Sequence, residues 1–600
     1  MANVFQSLKP KASLSRNGFD LSQRHLFSTK AGMITPVACI DCIPNDYHEI
    51  SLTSLVRTLP LATDAFARMR VRFCFGFVPY WQNWHPWNEF ITQTIENQSD
   101  TENASRLPAQ VPVFALGYLL ESICDGMYAL GDQGDKEDEF NQVEEMNAVR
   151  LLDMLGYGSY YDIAEQAYHY GTMADSESLE TLKGWISDEY GQKYLNAFRI
   201  AAYQKFYSDY FRNPIYENAD ATLYNFDLYG YPSATNIPHA IAYRMFSSLQ
   251  YSLYAKDMFT GLYPQPQFGA VSSIDIVEKQ IVNKTPVAGT GASTAKITNQ
   301  GVSAPGLLRS ENPASGYDKW SIAAAFNVYD LKRAEALQAW KETKLRAGSK
   351  VKDQSSAFWG QPFRYSMDNY CEFIDEIDLN LNIDEVLSTA ATSDASLGQI
   401  GGKSIGVSNG KIKFSTKDFG TLICVAIVEP VGEYNALMID KNVTLAEPFD
   451  FATPQFENLG FEAVHQYQLS LYSQPVDADM TDDSNVLGYA PRYLNYKTAI
   501  DKCHGEFMRT GHYKFSSPTV GQEVSGSLSH WCVPRTEMQL GTLETGEGVS
   551  VNDLKINPKI VDNIFYVASD YKQDTDQFIF NCNFDVKSVR SLSVLGLPRW

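Results

Sequence analysis

The segment from Ala67 to Trp87 reads A-R-M-R-V-R-F-C-F-G-F-V-P-Y-W-Q-N-W-H-P-W. Its first half alternates. Met69, Val71, Phe73, Phe75 and Phe77 fall on one face of an extended chain, and Arg68, Arg70 and Arg72 fall on the other. This predicts a β-strand with an apolar core face and a basic outer face. Pro79 cannot donate to a sheet ladder, so the strand is expected to end near it. Tyr80, Trp81, Trp84 and Trp87 then crowd the connection. They either plug a barrel end or a subunit contact, or stack on bases or sugars; the scarcity of selecting polar groups nearby favours the first.

Aromatic residues make up 13% of the 600-residue chain, with 35 Tyr and 33 Phe, which favours strands and broad contact surfaces over helical bundles. A formal net charge of -22 excludes a protein whose whole surface coats nucleic acid, so any such contact is local. The first thirty residues lack the apolar run of a secretory signal, and charge interrupts every hydrophobic stretch before it reaches membrane-spanning length. A protein made and used in a cytoplasm, without membrane insertion, is the expectation. Nine scattered cysteines, an odd count, fit reduced core thiols better than a disulfide framework.

Residues 1–31 carry Lys9, Lys11, Arg16, Arg24 and Lys30 against the single acid Asp20. They are read as a flexible basic arm that either contacts phosphates or is simply solvated. Two extended runs then flank Pro44-Asn45-Asp46. The Cys39-x-x-Cys42 pair within the first lacks the second ligand pair of a zinc site. An acid-rich stretch from Glu121 to Asp153 reads as a solvated face, and Tyr194–Arg212 as a helix with Leu195, Phe198, Ala202, Phe206 and Tyr210 on one stripe. Residues 268–308 contain aromatic-free Gly, Ser, Thr, Ala and Val beyond Phe268 and are read as an exposed excursion. A second helix is predicted from Ser321 to Gly348, with Ile322, Phe326, Tyr329, Ala336, Leu337 and Trp340 in one arc. Thr421–Val428 reads as a strand buried on both faces. Gln577–Val589 reads as a strand with Phe578, Phe580, Cys582, Phe584 and Val586 inward.

Candidate chemistry is thin. Gly401-Gly402-Lys403-Ser404 is out of register for a phosphate loop, because Leu397 stands where the first Gly is needed. The G-x-S-x-G matches around Ser404 and Ser408 lack the strand-then-helix context of a nucleophile elbow, and a Gly/Ser-rich turn is predicted instead. Cys503, His504, His512, His530 and Cys532 show no zinc spacing. No catalytic set, metal site or cofactor is predicted, and the chain is read as a non-enzyme.

Several blocks taken together resemble the major capsid proteins of the Microviridae, the small single-stranded DNA phages, and especially their gokushovirus-like lineages. The run F-C-F-G-F-V-P-Y-W-Q-N-W from Phe73 is similar to the family's F-V-P block with its paired tryptophans. In the family's order follow Y-S-D-Y-F-R-N ending at Asn213, D-M-F-T from Asp257 with P-Q-P-Q from Pro264, and the helix through Lys332-Arg333 to Leu345 with the Ser356–Gly360 turn. Next come Gly420–Val428, F-D-F from Phe449, L-G from Leu459, L-G-Y from Leu487 with Arg492-Tyr493 and Tyr496-Lys497, and the closing Gln577–Pro598. Residues 94–191 are longer than the family type, and the ending Leu595–Trp600 departs from it, as in a divergent subgroup.

The resemblance implies a mainly β fold. Expected is an eight-stranded viral jelly roll spanning residues 32–600 as one domain, with an acidic insertion at 94–191 and the excursion at 268–308. It implies a major capsid protein assembling in the host cytoplasm into a T=1 icosahedral virion. The implied partners are further copies of itself, a single-stranded DNA genome, a small basic packaging protein, a pilot- or spike-type minor protein and a host surface receptor. On that reading Lys9, Lys11, Arg16, Arg24 and Lys30 are DNA-binding candidates. Arg68, Arg70, Arg72, Trp81, Trp84 and Trp87 are candidates for packing or subunit contact, the three arginines being expected to make inter-sheet or inter-subunit ion pairs in preference to facing the packaged DNA. The alternative is a carbohydrate-active β-sandwich enzyme or lectin using Trp81, Trp84 and Trp87 as sugar platforms.

Overall fold

The computed structural model describes residues 16–58, 68–93, 108–132, 143–230, 236–269, 328–348, 350–360, 369–381, 383–387, 400–435, 439–457, 459–469, 486–504, 519–520, 555–556 and 576–594. Lys9, Lys11, His512, His530, Cys532 and nearly all of the 268–308 excursion lie outside these residues. The chain divides into two compact units, Met1–Pro264 with Tyr365–Trp600, and Gln265–Arg364. The excursion therefore belongs to a larger unit that also holds the helices Val328–Ala347 and Val351–Trp359.

The first unit is a β-sandwich with a helical layer. Its strands are β1 (Asn17–Asp20), β2 (Gln23–Thr29), β3 (Thr35–Cys42), β4 (Tyr47–Thr58), β5 (Met69–Pro79), β6 (Glu372–Leu381), β7 (Ile383–Leu387), β8 (Ile400–Ser415), β9 (Gly420–Pro430) and β10 (Phe578–Arg590). One antiparallel sheet runs β1-β10-β4-β8-β7, with β2 also on β10, and the other runs β3-β9-β5-β6. Met69, Val71, Phe73, Phe75 and Phe77 of β5 meet Phe578, Phe580, Cys582, Phe584 and Val586 of β10 in one core between the sheets. Phe73 packs edge-on to Phe580 at 6.1 Å, and Phe77 meets Phe414 at 5.3 Å.

The far face of the second sheet carries Cys74, Val78, Ile423, Val425 and Ile427, which join a second apolar cluster built from helices. That is why β9 is buried at every position: it has a sandwich core on one side and helices on the other. The helices are α1 (Leu116–Asp132), α2 (Glu144–Met154), α3 (Tyr161–Thr172), α4 (Ser176–Tyr190), α5 (Phe198–Phe206) and α6 (His239–Ser247). Helix α1 buries Leu116, Leu119, Leu120, Ile123, Cys124 and Met127, the spacing of a single helical face. Helix α5 is buried nearly all round instead of along one stripe, because it lies under β5 with other helices beyond it. It ends in a π-helical turn, Tyr207–Phe211. A Cβ on Gly76 would come 2.4 Å from the Phe206 ring, so the glycine in F-C-F-G-F lets helix and sheet touch.

Three local expectations differ from the fold. Residues 17–29, read as flexible arm, form β1 and β2 on the closing strand, because His25, Phe27 and Thr29 turn inward while Arg24 and Leu26 stay out. The Gly/Ser-rich run read as a turn is the long strand β8. Its Gly406 and Gly410 are required by close approach, since a Cβ there would lie 2.8 Å from Leu381 and 2.5 Å from Ile377. The acid-rich stretch is helical where described, with Glu144 and Glu145 in the first turn of α2, where the helix dipole favours them.

At the end of the sandwich the buried His48 accepts or donates at Nδ1 to Ser588 Oγ at 2.7 Å. Its Nε2 lies 3.6 Å from Asp46, which also pairs with Arg590 at 3.1 Å. Burial, with Arg590 adding to it, pushes the imidazole down from 6.5 to about 4. The unfolded chain therefore takes up this proton near the ordinary value while the folded one refuses it. Stability is expected to be full above that value and to fall as the pH drops toward 4, by up to about 3 kcal/mol from this group. Urea denaturation between neutral pH and 4.5 measures it, and His48→Gln should flatten the profile.

Candidate functional site: an arginine ladder and an aromatic connection

The outer face of β5 is a ladder of ion pairs within the chain. Arg68 lies 2.6 Å from Asp501 and 3.3 Å from Glu433, and Arg70 reaches Glu376 at 3.3 Å and also pairs with Asp378. Arg72 bridges Glu376 at 2.7 Å and Glu429 at 2.9 Å. Burial alone would disfavour the Arg72 charge, but Glu429 and Glu376 outweigh it and hold the guanidinium more firmly protonated than usual. Sequence reading found the arginines but not their partners. The signal was present in β6, where Glu376, Asp378 and Asn380 alternate with the apolar Ile377, Leu379 and Leu381.

Exposure sorts the rungs. Arg72→Gln would leave Glu376 and the nearly buried Glu429 without their shared cation, and is expected to cost about 2 kcal/mol. Arg68→Gln acts on a half-exposed pair and is expected to cost less than about 1 kcal/mol. Thermal unfolding of the two variants in parallel checks the order.

After β5, Trp81 and Trp87 lie in two short helical segments, Tyr80–Asn83 and Trp87–Thr92, and Trp84 lies in the extended link between them. Trp84 and Trp87 are buried and Trp81 is half-buried. The Trp87 ring touches Tyr80, Phe90, Phe198 and Phe419, with centroids 4.9 to 5.8 Å apart. Trp84 and Trp87 thus cannot serve as sugar platforms, since an aromatic ring must offer a bare face to do so. Of the basic residues, Arg16 bonds the Asn45 carbonyl and Arg24 donates to Asn581 at 2.8 Å from an exposed position. Lys30 is fully buried, and its charge acts on Asp576 inside the subunit.

The remaining chemical candidates are structural. Cys39 and Cys42 project from opposite faces of β3 into different cores, and burial pushes both thiols up to about 12. Among the described residues no group of three or more His, Cys, Asp or Glu is placed to hold a metal ion. No described helix is long and apolar enough to cross a membrane.

A family model described as capsid protein (F protein) matches residues 8–130 and 167–599. The chain belongs to this family. It is thus a major capsid protein of the Microviridae type, and its role is structural. No curated protein matches it. The match skips residues 131–166, inside the 94–191 region that the sequence marks as longer than the family type. Helix α2 and the first half of α3 fall in that gap. One further residue pair escaped sequence reading: Arg150 of α2 grips Asp576 at 2.9 Å beside β10, and also donates to the Ser28 carbonyl of β2 at 3.2 Å. Helix α2 is thereby fixed to the sandwich of this capsid protein.

Proposed function

We propose that this capsid protein rolls its sandwich as a viral jelly roll and assembles as a T=1 icosahedral shell around single-stranded DNA in the host cytoplasm. The observation that carries the reading is nested pairing. β3 pairs with β9, β4 with β8 and β5 with β6, so strands early in the chain pair in reverse order with later ones. Rolling one long hairpin into two facing sheets produces that pattern, and it hides most sheet edges. β2 pairs with β10 in the same reverse order, which makes eight strands, and β1 and β7 widen one sheet beyond them.

In the shell the exposed Arg24 and Arg16, with Lys9 and Lys11 ahead of them, face the genome and neutralise part of it. With a net charge of -22 per chain, a small basic packaging protein supplies the rest. The ladder Arg68, Arg70 and Arg72 and the Trp81, Trp84 and Trp87 connection stiffen the subunit behind its contacts. The excursion at 268–308 meets the host receptor, and a pilot- or spike-type minor protein completes the particle. Electron microscopy of the purified protein, with the nucleic acid content of the same fractions, tests the reading. Uniform icosahedral particles containing DNA are expected; a monodisperse monomer that no ionic condition assembles would refute it.

A further inference from the structure

We propose that the loop of residues 439–457, with Leu459 just beyond it, is a surface through which one copy of this chain holds a second copy. Trp84 and Trp87 of the aromatic connection are spent inside the subunit, so a surface that meets a neighbour lies elsewhere. In the loop, Val443 is 76% exposed, Phe449 71%, Leu459 63% and Phe451 50%. Tyr496, on the short helix Leu494–Lys497 tied to it, is half exposed as well. Apolar side chains scattered singly over a surface are ordinary, whereas four of them gathered in one short loop mark an interaction site. Phenylalanine and tyrosine are also the residues enriched at the centre of protein–protein interfaces.

The exposed rings sit on a backbone that is already fixed. Asp440 accepts from the Asn442 amide at 3.0 Å and caps the short 3-10 turn Lys441–Val443. Asp450 accepts from the amides of Ala446 at 3.0 Å and Glu447 at 2.8 Å, which closes the turn that presents Phe449. Pro454 begins a second 3-10 turn, Pro454–Phe456, and the Phe456 ring lies 6.2 Å from that of Phe449. Two further bonds moor the loop to its surroundings: Asn495 donates to Asn442 Oδ1 at 2.6 Å, and the Ile439 amide donates to the Tyr467 carbonyl at 3.1 Å. A loop ordered in advance loses little conformational entropy on association, so burial of its rings is carried into affinity.

Charge selects the partner. Lys441 pairs with Glu462 at 2.9 Å, Lys497 with Glu457 at 2.8 Å and Lys502 with Asp440 at 3.2 Å. Asp450 is satisfied by the two amides, which leaves Glu447 as the one carboxylate of the loop with no side-chain partner among the described residues. A chain of net charge -22 repels its own copies on average, but here the acids are matched locally and the groups left to offer are apolar. Such a patch gives a polyanion or a strongly basic protein little to hold, and it lets another acidic chain approach. The structural role of the family supplies that chain as further copies, and in this the inference rests on the assembly reading.

Photo-cross-linking of the full chain with Phe449→benzoylphenylalanine, in an equal mixture of light and nitrogen-15-labelled copies, tests the contact by peptide mass spectrometry. Adducts that join a light to a heavy peptide are expected. In sedimentation velocity, Phe449→Ser combined with Phe451→Ser should raise the concentration needed for association at least tenfold, whereas Phe449→Leu should keep most of it. Both substitutions change exposed side chains, so the melting temperature should not move; if it falls, the cross-linking result decides, since that chain keeps an aromatic ring at position 449. Adducts only within one copy, adducts to nucleic acid or to a different protein in place of a second copy, no adduct at all, or equal association of wild type and the double serine variant each overturn the proposal. Icosahedral particles that form without these cross-links remove the loop contact and leave the assembly reading standing. Cross-linked copies that never form particles do the reverse.

Discussion

Replacing Arg150 with methionine is expected to lower stability by about 3–5 kcal/mol, because it strands the Asp576 carboxylate without its cation. Folded domains hold only ~5–15 kcal/mol in total, so the yield of assembled particles should collapse as well. The pair is nearly buried, with three donor contacts from Arg150 to Asp576 and Ser28 between 2.9 and 3.2 Å. Burial pulls the Asp576 carboxyl upward, but Arg150 and the Ser28 hydroxyl outweigh it and hold it below the ordinary 3.8. A carboxyl lowered in this way stabilises the fold above its unfolded value, and the contribution is lost as pH falls through the folded one. The deficit of Arg150→Met should therefore shrink in acid. Adding Asp576→Leu to the same chain should recover most of the loss, since an apolar pair replaces an ion pair at little net cost. Chemical denaturation of the four proteins of this cycle, at neutral pH and at pH 4, measures each expectation. A single substitution with no effect would mean that α2 is not held by this contact.

Phe580→Ala is expected to cost about 3–5 kcal/mol, the range for truncating a fully buried aromatic side chain. The ring is inaccessible to solvent, stacks on Phe27 of β2 at 4.7 Å and meets Phe73 of β5 edge-on. Its loss opens a void where the N-terminal strands, the closing strand and the opposite sheet converge. Its neighbour Ile579 points outward, and Ile579→Ala is expected to change stability by less than about 1 kcal/mol. Thermal unfolding of the two variants separates inward from outward positions of β10. Equal losses would refute the assigned register.

Much of this architecture was legible from period-two patterning. Phe73, Phe75 and Phe77 in β5, and Phe578, Phe580 and Phe584 in β10, announce their faces because only one side of each strand meets the sandwich core there. The unbroken apolar run of β9 announces burial on both sides for the reason seen in the fold. Patterning failed where a neighbour supplied the reason for a residue. Gly406 and Gly410 look like turn residues until Leu381 and Ile377 are seen to fill the space above them. The inward alternation of His25, Phe27 and Thr29 is masked by the basic average of the arm around it. The Arg150–Asp576 pair lay beyond reach, since neither residue carries any local sign of the other.

The position of β10 also governs when the fold can be finished. Asn17 pairs with Arg590, Thr29 with Phe578, and Thr58 with Phe578 across the other edge. During synthesis at ~5–20 residues per second, β1, β2 and β4 wait roughly half a minute to two minutes for the strand they bracket. For that interval the inward side chains of β4, Ile50, Leu52 and Val56, have no closing strand beside them. A nascent chain in this state carries an open, aggregation-prone edge. Any chain broken off short of Phe578 keeps it permanently. A chain without β10 thus cannot close the sheet that β2 and β4 leave open, and only one that carries it presents a closed subunit.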